Sequence, residues 1–253
     1  MRLRTAALAA GVSLLFGTVA GVALAQPAFV TASVADAGRP ANDTARDVNR
    51  KPAQVLAFAG VKPGDKVGEI MPGGGYYTRL LAKIVGTGGK LYAIMPPPRA
   101  GGPPGGGGDA LKAIGPQVTV ISSPNLAPTA EITEKLDLIW TSENYHDFHN
   151  SFGGGAPADI AAFNKAVFDA LKPGGVFLVE DHAAANDAPP TATSALHRIN
   201  PNQAIAELTA AGFRLEARSD VLRNPNDDHT KPGGDPSIRG QTDKFLLKLR
   251  KPG

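Results

Sequence analysis

The chain has 253 residues, 42% of them hydrophobic, which is enough for one α/β domain with a full core. The formal net charge is only +3 and no dense run of basic residues occurs, so the sequence argues against nucleic acid as a partner. The absence of cysteine excludes disulfides, zinc–thiolate sites and cysteine nucleophiles.

The first 25 residues have the pattern of an export signal. Arg2 and Arg4 provide a positive start, residues 6–22 are apolar, and residues 23–25 match the small-x-small cleavage pattern. We therefore expect cleavage after Ala25, a periplasmic or secreted protein, and no stable membrane insertion once the signal is removed. An uncleaved membrane anchor is the alternative, because the apolar run approaches spanning length.

The remainder divides into a linker and a folded domain. Residues 26–40 show no clear periodicity and are predicted to be a linker, and residues 41–253 are predicted to form the domain. A first helix is expected over residues 41–60, with Pro52 breaking it into two pieces. Residues 61–65 then form a turn.

Strands and helices alternate through the rest of the chain. Strands are predicted at 66–70, 90–95, 117–121, 136–140, 176–180, 213–219 and 243–249, and helices at 76–85, 109–114, 157–171 and 202–211. Residues 96–108 are predicted to form a low-complexity loop that contains only Pro, Gly, Arg and Ala. The alternation predicts an α/β fold with a mostly parallel, doubly wound sheet.

A glycine-rich turn joins the first strand to its helix. Glu69 lies near the end of the strand, and Gly73, Gly74 and Gly75 follow. Glycines allow a ligand to approach the backbone, and the helix start offers free N–H groups. The turn lacks both the G-x-G-x-x-G fingerprint and the P-loop lysine. A tight turn that binds no ligand is the alternative.

Several stretches together are similar to one family. The turn resembles motif I of class I S-adenosylmethionine (SAM)-dependent methyltransferases, [D/E]-x-G-x-G-x-G, with Met71 in the place of the first glycine. The stretches "LKPGG" and "AAGF" resemble other motifs of that family, and the resemblance covers about residues 41–252. More narrowly, "EIMPGGGYYT", "NYHDF", "LKPGG", "HRI" and "RNPNDD" are similar to an exported bacterial branch of methyltransferases.

This resemblance implies a fold and a cofactor. The fold is the Rossmann-like class I methyltransferase fold, with a seven-stranded, mostly parallel sheet, helices on both faces and strand order 3-2-1-4-5-7-6. The seventh strand is expected to be antiparallel. SAM would lie across the carboxyl ends of strands one to four.

The resemblance also implies which residues contact SAM. The predicted contacts are Glu69, Gly73, Gly74, Gly75, Thr78, Met95, Ser123, Asn125 and Thr141. Met95 stands where the family usually has an acid that accepts hydrogen bonds from both ribose hydroxyls, so a weaker or different binding mode is expected. Ser123 and Asn125 would contact adenine, or would form an ordinary turn.

Candidate catalytic residues follow the fourth and fifth strands. Glu143, Tyr145 and His146 lie in a polar loop at residues 141–155, and could position or deprotonate an acceptor; a polar surface loop is the alternative.

Asp181 and His182 directly follow the fifth strand, and either face the acceptor or form a buried structural hydrogen bond. His146-x-x-His149 with Asp147 also resembles a metal-ligand pattern, but the signal is too weak to predict a metal.

Two functions are consistent with these patterns. The first is an exported SAM-dependent methyltransferase that acts on an unknown, small-molecule acceptor. The second is a catalytically inactive periplasmic ligand-binding protein built on a methyltransferase scaffold, which Met71 and Met95 favour. A fold alone does not decide between them.

Overall fold

The computed structural model describes residues 26–98, 107–150 and 159–253, so the predicted export signal and most of the low-complexity loop lie outside the described residues. Seven strands form one sheet: β1 (Lys66–Ile70), β2 (Lys90–Met95), β3 (Val118–Ser122), β4 (Leu136–Ser142), β5 (Leu171–His182), β6 (Arg214–Ser219) and β7 (Lys244–Arg250). Their order is β3-β2-β1-β4-β5-β7-β6, and β7 pairs antiparallel with both neighbours. Both predictions are confirmed.

Helices cover the two faces of the sheet. They are α1 (Ala28–Val34), α2 (Ala41–Thr44), α3 (Asp47–Arg50), α4 (Pro52–Ala59), α5 (Tyr76–Val85), α6 (Gly108–Lys112), α7 (Ile160–Ala170), α8 (Ala192–Ala195) and α9 (Pro201–Ala210). Pro52 is the first residue of α4, a position where its missing N–H costs nothing, so the break at Pro52 is confirmed. Residues 41–50 nevertheless form two short helices rather than the single expected piece. No helix in the described part of the chain is long and apolar enough to cross a membrane.

The β1–α5–β2 unit has the predicted boundaries. Tyr77, Leu80 and Leu81 recur at helical spacing and are all buried, which fixes α5 against the sheet. Gly86 ends the helix with a positive φ of 63°. Strong local periodicity, together with glycines at the ends of the elements, therefore defines this part of the fold.

Three expectations need correction. Residues 28–34, placed in a linker, form α1, whose fully buried Val30 packs into the core beside α5. The loop after β4 is not uniformly polar: residues 145–149 form a 3₁₀ helix whose Tyr145 and Phe148 are buried. Asp181 and His182 do not follow β5 but are its last residues, because pairing with β7 continues to the end.

The strand register separates the polar residues onto two faces. Glu69 pairs with Trp140, which pairs with Leu178, so these side chains share one face. Glu180 lies two residues after Leu178 and belongs to that face, whereas Asp181 points to the other. The carboxyl edge of the sheet therefore has polar groups above and below it.

Candidate active site

Glu69 is a buried carboxyl group at the carboxyl end of β1. Its residue is 3% exposed, and its Oε2 has no hydrogen-bond partner among the described residues. Burial raises the pKa of Glu69 to about 7, with the charges of Arg79 and Arg50 acting in the opposite direction. An unsatisfied buried carboxyl oxygen is costly, so this position calls for a hydrogen-bond donor.

The glycines that follow have two different roles. A Cβ added to Gly73 or Gly74 would meet no described atom within 4 Å, so these residues border open space. A Cβ on Gly75 would lie 2.9 Å from Leu111 Cδ2 and 3.3 Å from Ile114 Cδ1. Gly75 therefore lets α5 pack closely against the α6 region, in addition to adopting a positive φ of 81°.

A cavity of about 220 Å³ lies beside this turn. Its lining combines the turn, the end of β4 and the α2–α3 region: Arg46, Arg50, Glu69, Ile70, Met71, Pro72, Gly73, Gly74, Tyr76, Tyr77, Ser142, Glu143 and Asn144. The guanidinium carbons of Arg46 and Arg50 lie 4.7 and 4.9 Å from the centre of the Tyr76 ring. The cavity is thus bordered by charges of both signs.

Glu143 is held between two cations. Its carboxylate accepts a hydrogen bond from Arg50 Nη2 at 2.5 Å and lies 3.2 Å from Lys244 Nζ. Burial works against ionisation of Glu143, but Arg50 and Lys244 lower its pKa to about 2. Glu143 is therefore a stable carboxylate and a poor general base.

Glu180 adds a second buried acid next to this pair. Its Oε2 accepts hydrogen bonds from Tyr77 Oη at 3.1 Å and Ser142 Oγ at 3.0 Å, and its Oε1 has no partner among the described residues. Burial, followed by the charge of Glu143, raises the pKa of Glu180. Arg50, Glu180 and Lys244 were not among the predicted site residues. For Glu180, the available signal was a charged residue at the end of an apolar strand.

His146 is held by two aspartates on the other side of the edge. Its Nδ1 lies 2.8 Å from Asp181 Oδ1, its backbone N–H donates to Asp181 Oδ2 at 2.6 Å, and its Nε2 lies 3.2 Å from Asp147 Oδ1. Burial lowers the pKa of His146, but Asp181 and Asp147 raise it to about 10. The imidazole is therefore a cation at neutral pH when only protein groups surround it.

His182 has the opposite character. Its Nδ1 lies 2.8 Å from Thr242 Oγ1, and burial lowers its pKa to about 4. The imidazole of His182 is accordingly neutral at physiological pH. The side chains of the adjacent residues Asp181 and His182 thus lie on opposite faces of the sheet, because successive side chains of a strand alternate.

The side chain of Tyr145 packs in the core and does not line the cavity described above. Its ring is fully buried, and its hydroxyl donates to Glu207 Oε2 at 3.1 Å and accepts from Asn164 Nδ2 at 2.9 Å. Burial raises the pKa of Tyr145 well above its ordinary value. These contacts leave its hydroxyl fully engaged.

Three methyltransferases of known structure have a fold similar to that of this chain. A SAM-dependent methyltransferase from Aquifex aeolicus aligns over 84% of this chain and 98% of its own at 18% identity and a TM-score of 0.56. A putative sarcosine dimethylglycine methyltransferase from Galdieria sulphuraria aligns over 83% and 88% at 15% identity, with a TM-score of 0.56. A SAM-dependent methyltransferase from Mesorhizobium loti aligns over 81% and 100% at 15% identity, with a TM-score of 0.54.

The chain has the class I methyltransferase fold. The sequence matches no protein-family model and no curated protein. In the methyltransferase fold, as in other open α/β sheets, the ligand crevice lies at the carboxyl edge where the strand order reverses. Here the reversal lies between β1 and β4, and the cavity that contains Glu69 and Glu143 lies at that point.

Only part of the predicted cofactor set borders this cavity. Glu69, Gly73 and Gly74 do, together with the predicted catalytic residue Glu143. Thr78 is fully buried under the turn, with no partner for its hydroxyl among the described residues, and Gly75 faces α6.

The other predicted contacts do not line this cavity. Ser123 Oγ lies 2.8 Å from the carbonyl of Ala127 and 2.9 Å from Asn125 Oδ1, which is turn chemistry. Met95 packs against the core beside Gly108, and Thr141 is buried on the face opposite Glu69.

Proposed function

We propose that the protein is an exported SAM-dependent methyltransferase that acts on a small-molecule acceptor. The observation that carries this proposal is the unsatisfied Oε2 of Glu69, buried at the glycine turn of a methyltransferase fold. An ammonium group is the donor that would satisfy this oxygen best, since charge-assisted hydrogen bonds are the strong ones. The amino-acid end of SAM carries such a group.

The residues around the cavity fit the amino-acid end of SAM. Glu69 offers an acceptor for the ammonium, and Arg46, whose side chain is 46% exposed, offers a donor for the carboxylate. Gly73 and Gly74 leave room for the ligand along the turn. The volume of about 220 Å³ is below the range of roughly 300–1,000 Å³ typical of small-molecule pockets, so this cavity matches one part of the cofactor.

Bound SAM would supply an electrophilic methyl group. The protein's own contribution to methyl transfer is chiefly orientation of the acceptor, since in-line displacement depends on alignment. Neutral His182 can accept a proton from an acceptor, although its pKa of about 4 makes it a weak base. Both ring nitrogens of His146 face aspartates and the hydroxyl of Tyr145 is engaged, so neither side chain is assigned a direct contact with the acceptor.

Calorimetric titration of the mature protein with SAM and S-adenosylhomocysteine tests the cofactor assignment. We expect one site per chain, with affinity reduced in Glu69→Gln, which cannot offer a carboxylate. The absence of binding by folded protein would contradict the proposal. Transfer of labelled methyl to a small-molecule extract distinguishes an enzyme from a protein that binds SAM without turnover.

Export rests on the order of charged, apolar and small residues in the first 25 positions. Intact-mass measurement of periplasmic material should give a chain that begins at Gln26. Recovery of a full-length, membrane-bound form would contradict cleavage and favour the anchor.

A further inference from the structure

Three potential metal ligands meet beside the 3₁₀ helix. They are His146, Asp147 and His197, and their donor atoms all lie within 4.8 Å of one another. Asp147 Oδ1 lies 3.2 Å from His146 Nε2 and 3.1 Å from His197 Nδ1. We propose that these three residues bind one divalent transition-metal ion. This inference does not depend on SAM binding.

The distances suit a metal ion. Ligand bonds of about 2.0–2.1 Å in a tetrahedral site place neighbouring donor atoms about 3.3 Å apart. The two separations that involve Asp147 Oδ1 are close to that value before any rearrangement. On binding, the metal would displace the proton that His146 Nε2 directs at this carboxylate, and that proton would pass to solvent.

Asp181 supplies the support that a metal-binding histidine needs. It is fully buried, and its Oδ1 lies 2.8 Å from His146 Nδ1, which orients the ring so that Nε2 faces Asp147 and the proposed metal position. Backbone N–H groups of His146 and His182 hold the Asp181 carboxylate at 2.6 and 2.7 Å. The carboxylate–histidine–metal arrangement is therefore preassembled.

His197 is held in place by the backbone around it. Its φ of +50° is unusual for a non-glycine residue, and such conformations persist where surrounding structure enforces them. The adjacent Arg198 is fully buried and paired with Asp227, and Gly233 donates a backbone hydrogen bond to Leu196. These contacts fix His197 opposite the 3₁₀ helix.

The cluster is open on one side. The His146 side chain is 3% exposed, that of Asp147 is 23% exposed and that of His197 is 53% exposed. Three protein ligands with open positions are typical of catalytic rather than structural metal sites. Water, or an oxygen or nitrogen atom of a small molecule, would complete the coordination.

The donor set selects the class of ion. Two imidazoles and one carboxylate suit Zn²⁺, Fe²⁺ and similar first-row ions better than Mg²⁺ or Ca²⁺, which prefer all-oxygen sites. His149, which the sequence spacing had associated with His146, turns away: its Nε2 lies 3.0 Å from both Glu207 carboxylate oxygens.

Metal titration tests the site. The protein is produced without a histidine tag and is first stripped of metal with a chelator. We expect one Co²⁺ per chain, with visible d–d bands that Zn²⁺ abolishes. His197→Ala should lower affinity at least about 100-fold, and Asp181→Asn about 10–100-fold, the usual effect of losing an outer-shell partner. His149→Ala is the matched control and should bind like the parent.

Thermal unfolding in the absence of metal shows whether each variant is folded; exposed His197 is the least disruptive position. Asp147→Asn provides a second ligand variant. The proposal is overturned if the folded parent binds no Co²⁺, if His197→Ala and Asp147→Asn bind as the parent does, or if His149→Ala is the variant that loses the ion.

Discussion

Arg50 and Glu143, 93 positions apart in the sequence, form a hydrogen-bonded ion pair of 2.5 Å that joins α3 to the end of β4 across the mouth of the cavity. The two side chains are only 15% and 21% exposed. Arg50→Ala would leave Glu143 with Lys244 alone and should lower the free energy of unfolding by ~2 kcal/mol, between the ~0–1 of exposed pairs and the ~3–5 of buried ones.

Urea denaturation measures this loss. Lys165→Ala is the control, because the Lys165–Asp169 pair is exposed on α7 and should contribute no more than about 0.5 kcal/mol. Equal effects of the two substitutions would show that the Arg50 pair does not hold α3 in place.

A second prediction concerns SAM affinity and the glycine turn after β1. Gly74→Leu should reduce SAM affinity by at least about tenfold, because the new side chain would enter the cavity, where a Cβ meets no described atom within 4 Å. Gly74 does not have a positive φ, so the fold should tolerate the change.

Gly88→Leu is the matched control for calorimetry, since Gly88 has similar open space but lies at the opposite, amino-terminal edge of the sheet. Gly75→Val is less informative, since its side chain would collide with Leu111 and destabilise the fold itself. Unchanged SAM affinity in Gly74→Leu would place the ligand elsewhere.

Glu69 should make stability depend on pH. Its pKa is raised from 4.5 to about 7 in the folded protein, so the folded state binds a proton that the unfolded state loses near pH 4.5. Its contribution is therefore fully present below about pH 4.5 and is lost as the pH rises to about 7. The loss is about 3 kcal/mol, at about 1.4 kcal/mol per pKa unit.

The difference in unfolding free energy between Glu69→Gln and the parent isolates this effect. We expect the variant to gain stability relative to the parent across that pH range and to level off above it. Glu131→Gln is the control at an exposed position, and the difference in its unfolding free energy from the parent should not change with pH. A pH-independent difference for Glu69→Gln would contradict the raised pKa.

Met95 permits a test of ribose recognition. Met95→Asp should tighten SAM binding, because a carboxylate at the end of β2 could accept both ribose hydroxyls. The gain should disappear with a 2′,3′-dideoxyribose analogue of SAM. Met95→Asn, which lacks the charge, should gain less; equal gains, or gains that persist with the analogue, would count against ribose contact at this position.

Local sequence patterns were sufficient to predict much of the fold but less of the candidate site. The β1–α5–β2 boundaries could be predicted because periodicity and glycine turns are local signals. The strand order is not a local property, and it was expected only from the resemblance to methyltransferases. Arg50 could not be linked to Glu143, nor His197 to Asp147, because those contacts join residues 93 and 50 positions apart. Short elements such as α1 and the 3₁₀ helix are stabilised by tertiary packing. They are too short to show a clear hydrophobic periodicity in the sequence.

The place of β7 has a consequence for how the molecule is made. β7 is the last strand in sequence, yet it lies between β5 and β6. During synthesis β6 therefore has no sheet partner, and β5 keeps an open edge, until residues 244–250 have emerged. Lys244, which neutralises Glu143, arrives with that same strand. Closing the sheet and balancing the charge at its edge are thus one late event, which couples completion of the fold to assembly of the site.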